Sequence, residues 1–424
     1  MALDEGVKPT ESTESQILSM EHAAAVAIPD VEFTGLRGLL FKLALKNAIL
    51  TLLTLGIYRF WAKTWVRRYF WHNIRVRGEA LEYTGLPSEL LIGFLIALAI
   101  LAPIFMSYEG AYFFLSNISE TTGIVLGSAY FLTLLIFFQF AFYRMWRYRL
   151  SRTTWRGIHF GLVGSAWKYM GVSFGWLVVT ILTLGLAYPW YRVARWRFRT
   201  RNMRFGSSCF DFNGSANHLF KIWIIVFAVP LILLVSSIIF NIDIVNQLFQ
   251  AANDQEYASA RKHEIISMME EAVYSLFVIP AVAVLMVPLL FVWYRVREMR
   301  YLIGTTNFLE ASFQAPIKSP AIIFTVVLYL MPSIFLLGVI LMASISAPHD
   351  TLLSTSGSAI GGAIFFLLLE PVLRLIILHF NFTKHVCSVL EIKNPEAFDQ
   401  TVQSAKEHPE YGEGFADALD VGAI

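Results

Sequence analysis

LTLGIYRFWAKTWVRRYFWHN, residues 53–73, returns as LTLGLAYPWYRVARWRFRTRN at residues 182–202. Thr54, Leu55, Gly56, Trp61, Arg68, Asn73, Gly85 and Leu90 fall on Thr183, Leu184, Gly185, Trp190, Arg197, Asn202, Gly214 and Leu219 at a constant offset of 129 and without a gap. Such self-similarity predicts one supersecondary unit written twice. Each copy runs from an apolar segment into aromatics, then arginines, then a short polar stretch with alternating apolar residues. That order describes a membrane-to-water transition.

Composition agrees with this reading. The 424 residues are 56% apolar, 15% aromatic and only 15% charged, whereas an ordinary soluble domain carries about a quarter charged residues. The chain reads as an integral membrane protein. Its formal charge of +2 says little, because what matters is where Lys and Arg sit relative to the apolar segments. Cys209 and Cys387 read as two free thiols, not a disulfide framework or a metal site. Residues 1–30 are acidic and polar, with Lys8 as their one Lys or Arg, and they lack a charged-then-apolar signal. Insertion is therefore expected to be directed by internal segments.

A helix needs about 20 apolar residues to cross a bilayer. The six candidates are Leu90 to Met106, Gly123 to Tyr143, Ile222 to Phe240, Ala272 to Tyr294, Ala321 to Ala343 and Ile360 to Phe380. Two further segments are ambiguous. Asn47 to Tyr58 follows Lys42 and Lys46 and is too short for an ordinary span, while its counterpart, Met170 to Trp190, carries no charge. Basic residues gather from Lys63 to Arg77, Arg144 to Arg156, Arg192 to Arg204, and Arg295 to Lys318. The connections at 107–122 and 344–359 hold no Lys or Arg, and that at 241–271 holds only Arg261 and Lys262 against six carboxylates. The positive-inside rule puts the basic loops in the cytoplasm. Only Met170 to Trp190 separates the second basic loop from the third, so it should enter and leave on one side, and so should Asn47 to Tyr58. Six spans plus two embedded elements, with both termini cytoplasmic, stands against an alternative of eight crossings. Gly56 and Gly185 read either as breaks in embedded helices or as points of close helix packing.

After the arginines come polar turns and period-two alternation: Leu81 and Tyr83, then Ile158, Phe160 and Leu162, then Phe210 and Phe212. NFLEASF at 307–313 repeats this weakly and HVCSVLEI at 385–392 faintly. Alternation of this kind predicts short strands that pair into one small cytoplasmic sheet. The expected fold is thus an all-α polytopic membrane protein with six to eight spanning or embedded helices, internal repeats and short cytoplasmic β-hairpins. Its expected divisions are an acidic tail at 1–32, membrane repeats at 33–165 and 166–320, a final two-helix unit at 321–382 and a cytoplasmic tail at 383–424.

FTGLRGLLF from Phe33, LTLGIYRFWAKTWVRRYF from Leu53, RLSRTTWRGIHF ending at Phe160, LTLGLAYPW before Tyr191 and the tail GEGFADALDVGAI together resemble the YjgN-like bacterial inner-membrane proteins, a family with no assigned role. The resemblance covers nearly the whole chain and implies a polytopic inner-membrane protein. It supplies neither substrate nor catalytic residues. The chain departs from the pattern at EPVLRLIILHFNF, residues 370–382, where the family has another TLG-like segment followed by arginines.

Chemistry-bearing motifs are scarce. HEIIS at 263–267 starts like a zinc-protease helix but has Ser267 where the second His belongs, and GSAWKYMG at 164–171 lacks the Lys-Ser/Thr of a phosphate loop. His159, His218, His349, His379 and His385 have no metal-ligand spacing, and no cofactor is implied. Without a nucleophile, base or metal set, an enzyme is disfavoured. Glu370 and Arg374 are four residues apart in the last expected span. They line a polar pathway, or they form an ion pair that holds helices together. Trp61, Arg67, Arg68, Trp190, Arg195 and Arg197 are expected at anionic headgroups rather than on nucleic acid. Two functions remain: transport or permeation of an unidentified small solute, and a non-catalytic scaffold that binds anionic lipid or partner proteins through an arginine-rich face.

Overall fold

The computed structural model describes residues 30–116, 119–253, 278–345 and 368–403, with isolated positions at 259–267 and 366. Most of the acidic N-terminal tail, His349 and the tail GEGFADALDVGAI lie outside the described residues.

The chain is mostly helical, and its helices alternate with strands. After β1 (Val31–Phe33) come α1 (Arg37–Leu53) and α2 (Arg59–Asn73), then β2 (Ile74–Val76), β3 (Glu79–Ala80) and β4 (Glu82–Tyr83). Next are α3 (Pro87–Ser116), α4 (Glu120–Ser151), β5 (Thr153–Trp155), β6 (Ile158–Leu162), α5 (Ala166–Leu182), α6 (Tyr188–Asn202), β7 (Met203–Phe205) and β8 (Ser208–Phe212). The remainder comprises α7 (Ala216–Phe240), α8 (Ile242–Asn253), α9 (Ile279–Gly304), β9 (Thr306–Phe308), β10 (Ala311–Gln314) and α10 (Ser319–Ile345). A π-helical turn at Arg374–His379, α11 (Phe380–Val389), β11 (Glu391–Lys393) and a 3-10 turn at Pro395–Phe398 follow.

Among the described residues four helices are long and apolar enough to cross a membrane: α3, α4, α7 and α9. The expected span Ala321 to Ala343 lies in α10, of which Ser319–Phe335 qualifies only as a shorter apolar helix. The expected span Ile360 to Phe380 falls partly outside the described residues, and its second half is helical.

The strands are more extensive than isolated hairpins. Eight form one antiparallel sheet in the order β11-β10-β9-β8-β7-β6-β5-β4, and β1-β2-β3 form another. An isolated hairpin is marginal in water, and here successive hairpins satisfy each other's edges. Phe160 of β6 pairs with Phe205 of β7, and Phe212 of β8 with Thr306 of β9. The weak NFLEASF signal is a complete hairpin, with Ala311 opposite Phe308. HVCSVLEI is different: residues 385–389 are helical and only Glu391–Lys393 is a strand. Val386 and Val389 pack on the cluster around Ile317 and Ile322, a spacing of three that a helix presents on one face.

The two ends of the strand array meet, because the Ile392 amide donates to Asp30 Oδ2 at 2.8 Å and Val31 shares a core with Ile392. Trp155, Phe205, Phe308 and Phe398 fill that core; the Phe308 and Phe398 rings stack at 4.6 Å. Aromatic pairs of this kind contribute about 0.5–1.5 kcal/mol each beyond area burial. Arginines fix the helices to the sheet. Arg68, Arg197 and Arg300 each donate through Nη2 to a backbone carbonyl 17 residues on, at Gly85, Gly214 and Ile317.

Candidate functional site

The TLG segments are turns between helices. Gly56 and Gly185 sit at φ +92° and +95°, preceded by Leu55 and Leu184 at φ +50° and +51°. This left-handed pair ends the first helix of each unit in the manner of a Schellman cap: the Gly56 amide donates to Thr51 O and the Gly185 amide to Thr180 O, both at 2.7 Å. Nothing lies within 4 Å of a Cβ added at either glycine. Glycine is therefore required by the backbone angle, not by close helix packing. The threonine serves both helices. Thr54 Oγ1 donates to Leu50 O and accepts from the Tyr58 amide, and Thr183 Oγ1 does the same with Val179 O and the Ala187 amide.

Each turn sends the chain back along itself. Asn47 Nδ2 reaches Ala62 O at 3.5 Å across the first, and Arg195 Nε donates to Tyr169 OH at 2.6 Å across the second. The two units are helical hairpins whose tips carry bare leucines: Leu55 is 94% exposed and Leu184 is 83% exposed. Such apolar tips suit lipid contact.

The hairpins differ in what packs on them. Beside the first, α1 and α2 meet the last helix through Leu40, Ala44, Val66, Phe70, Val372 and Leu375. A cleft of about 710 Å³ remains between them, bounded by Ala44, Asn47, Ala48 and Thr51 of α1, Arg59, Lys63 and Arg67 of α2, and Pro371, Arg374 and His379 of the last helix. Ala44 and Ala48 leave room where bulkier side chains would meet, and no Asp or Glu among the described residues lines the cleft. Asn47 is buried, with no partner for its Oδ1 among the described residues. The π-helical turn begins at Arg374, and such turns often mark functional places in helices.

Beside the second hairpin the equivalent volume is filled. At the same offset of 129, Asn47, Ala48 and Arg59 become Trp176, Leu177 and Tyr188. The Tyr188 ring lies 4.8 Å from Trp223 and 6.1 Å from Tyr294, and Trp223 Nε1 donates to Gly185 O at 3.0 Å. Lys63 becomes Arg192, whose Nε is 2.6 Å from Glu298 Oε1; Arg295 also pairs with this carboxylate, which is 0% exposed. Buried charge is tolerated only when paired in this way.

Glu370 and Arg374 are together, with Arg374 Nε 3.6 Å from Glu370 Oε1, and Tyr329 OH of α10 donates to the same oxygen at 2.6 Å. Of the six side chains expected at headgroups, Arg67 and Arg195 are instead buried at 2% and 7% exposure. Arg67 bonds Tyr83 OH, and Arg195 bonds Tyr169 and Tyr191 while stacking on Phe142. Guanidinium planes find aromatic faces and phenol oxygens inside the protein, which draws these arginines inward. Arg197 is exposed, and Trp61, Arg68 and Trp190 are half-buried. The sequence reading missed Glu298, although a lone carboxylate within RVREMR, residues 295–300, was a signal available there. It also missed the cleft, which requires segments more than 300 residues apart. Among the described residues no group of three His, Cys, Asp or Glu is placed to hold a metal ion.

A family model described as a bacterial protein of unknown function, DUF898, matches residues 29–418. The chain is also 30% identical over 141 residues to a protein named inner membrane protein YjgN from Salmonella typhimurium strain LT2. That match covers 32% of this chain and 33% of the relative, so the chain spans about a third of the length of the curated relative it matches. No solved structure matches.

Proposed function

The chain belongs to this DUF898 family of YjgN-like inner-membrane proteins, whose role is unassigned, and from that premise we propose that it moves a small solute across or into the bacterial inner membrane through the cleft beside the first helical hairpin. The carrying observation is the cleft itself. Its volume of about 710 Å³ lies in the range of small-ligand sites, about 300–1,000 Å³, and it joins a broken helix to the Glu370–Arg374 helix. Broken helices beside ionisable residues are the setting in which membrane transporters hold their substrates.

In this reading both helical hairpins dip into the membrane from the cytoplasm on their exposed leucine tips, six helices cross, and both termini are cytoplasmic. The arginine distribution along the sequence supports this arrangement. It is tested with the protein's own thiols. Cys209 is exposed in β8, whereas burial pushes the Cys387 thiol up to about 11 and keeps it slow to alkylate. An impermeant thiol reagent should leave intact cells unlabelled and modify Cys209 once the inner membrane is permeabilised. Labelling of Cys209 in intact spheroplasts would establish an eight-crossing arrangement instead.

The alternative, a scaffold binding through an arginine-rich face, has less to support it. Arg67, Arg192 and Arg195 are engaged with protein groups, and Arg68, Arg197 and Arg300 hold backbone carbonyls. The transport reading is tested by metabolite profiling of a deletion strain. A solute whose level shifts in the deletion should return to normal with the native protein but not with an Ala48→Trp protein that fills the cleft at equal abundance. An unshifted metabolome, or full rescue by Ala48→Trp, would overturn it.

A further inference from the structure

We propose that the cleft beside the first hairpin takes an amphiphile from the bilayer, a molecule with an apolar body and a hydroxyl or amide head that donates a hydrogen bond to Asn47 Oδ1. As an account of the transported solute, this rests on the cleft being the working site of the protein. Three observations carry it. First, Asn47 is buried at 5% exposure and lines the cleft, yet its Oδ1 has no hydrogen-bond partner among the described residues. The side chain is oriented by its other end, because Nδ2 reaches Ala62 O of α2 at 3.5 Å. Thr51, which also lines the cleft, spends its proton on the helix backbone, donating from Oγ1 to Asn47 O at 2.7 Å. An unpaired acceptor is costly to keep buried, and a donor from outside the chain removes that cost. The ligand must therefore bring an O–H or N–H.

Second, much of the remaining wall is apolar and leads toward lipid. Ala48, Leu52, Leu55, Val372 and Leu375 line the same space, and Leu55 is the bare tip of the hairpin, 94% exposed. With that tip in the membrane, a molecule dissolved in the bilayer enters sideways without crossing water. Apolar walls with a few placed polar groups are the usual form of a small-molecule site. Arg59, Arg67 and Arg374 line the cleft as well, but they are engaged by the Phe94 ring, Tyr83 OH and Glu370. The open acceptor on Asn47 thus sets the polarity of the head.

Third, the second unit lacks the acceptor and the space together. Asn47 and Ala48 become Trp176 and Leu177 at the offset of 129, and Tyr188, Trp223 and Tyr294 pack against one another beside that hairpin. A buried amide that served only to close a hairpin would be needed in both copies. It occurs in the one that keeps a cavity.

The test uses the purified full-length protein in phosphatidylcholine nanodiscs, with radiolabelled dodecanol and its methyl ether as matched probes. They share an apolar chain, and only the alcohol can donate. Binding is counted as the excess over protein-free nanodiscs. Saturable excess binding of dodecanol is expected, about fivefold tighter than that of the ether, the worth of one neutral hydrogen bond. Asn47→Leu should bring the alcohol to the affinity of the ether, and Ala48→Trp should abolish binding of both. The alcohol–ether comparison is made on the native protein, so it stays readable should Asn47→Leu fail to fold. No saturable excess, equal affinity for the two probes in the native protein, or a preference for the alcohol that persists in Asn47→Leu would overturn the proposal. Alcohol-selective binding with an unshifted deletion metabolome leaves the amphiphile site standing and removes the transport reading. A metabolome restored by the native protein and not by Ala48→Trp, with no dodecanol bound, does the reverse.

Discussion

The first helical hairpin, α1 with α2, and the second, α5 with α6, share a turn almost atom for atom and differ in what fills the space beside it. Thr54, Leu55 and Gly56 repeat as Thr183, Leu184 and Gly185 with the same hydrogen bonds and left-handed angles. Beyond the turn, Tyr188, Trp223 and Tyr294 pack solidly beside the second hairpin, and Glu298 neutralises the arginines there. Beside the first, Arg59 lies 4.8 Å from the Phe94 ring, and a cleft opens. A turn is a local property, set by its own few residues wherever they recur. Packing depends on neighbours, and the two copies have different ones.

The difference breaks most sharply at Glu298. Replacing it by Gln leaves Arg192 and Arg295 without their counter-charge in a buried setting, at a cost of about 3–5 kcal/mol. The expected result is a large fall in folded yield and thermal midpoint, partly restored by adding Arg192→Gln. Lys63→Gln, at the equivalent and only half-buried position of the first hairpin, should change the stability by less than about 1 kcal/mol. Equal losses from the two would mean that the copies are packed alike.

The turns should respond identically. Gly56→Val and Gly185→Val each force a β-branched residue into the left-handed region, costing about 1–2 kcal/mol, with open space around both positions. Thermal unfolding of the two proteins should shift by the same amount within error. A loss confined to Gly185→Val would locate the requirement in packing and not in the backbone.

A smaller effect is expected at the Glu370–Arg374 pair on the cleft side. The pair is partly exposed and 3.6 Å apart, so a double-mutant cycle with Glu370→Gln and Arg374→Gln should give a coupling below about 1 kcal/mol. Coupling of several kcal/mol would make the pair a structural lock like that around Glu298.

The least effect concerns the hairpins beneath the helices. Asp399 bridges Arg77 in the β2–β3 turn and Arg156 in the β5–β6 turn, while the third hairpin is held through the Ser207 amide and Val402 O. The two guanidinium groups hold the Asp399 carboxyl below its usual value. A carboxylate whose pKa is depressed on folding contributes stability above its unfolded value, near pH 4, and that contribution is lost as pH falls through the lower folded value. Asp399→Asn should therefore flatten a slight acid dependence of thermal stability below about pH 4 and leave neutral pH nearly unaffected. An unchanged acid limb would show that the strap carries no linked charge.

Much of this was legible in the residues. Runs of Leu, Ile and Phe mark the helices because apolar segments of that length have few other stable settings. The alternation at Ile158, Phe160 and Leu162, and at Phe210 and Phe212, marks strands because period two is a local signature. Glu370 and Arg374 are paired as their spacing requires. Other readings failed for equally physical reasons. HVCSVLEI alternates in sequence, but Val386 and Val389 form a helical face once Ile317 and Ile322 are there to meet it. Arg67 and Arg195 look like headgroup ligands along the chain, yet phenol oxygens and aromatic rings from distant elements draw them inside.

The sequence by itself determined the membrane character, the paired helix breaks and the strands that follow each arginine cluster, since all of these arise from interactions between residues close along the chain. Only the tertiary structure decided that eight strands join in one sheet, that Asp30 meets Ile392, and that one helix break borders an open cationic cleft while its copy is closed around Glu298. Those outcomes depend on which surfaces, separated by hundreds of residues, come into contact. Side-chain volume and charge compensation are settled only at that contact.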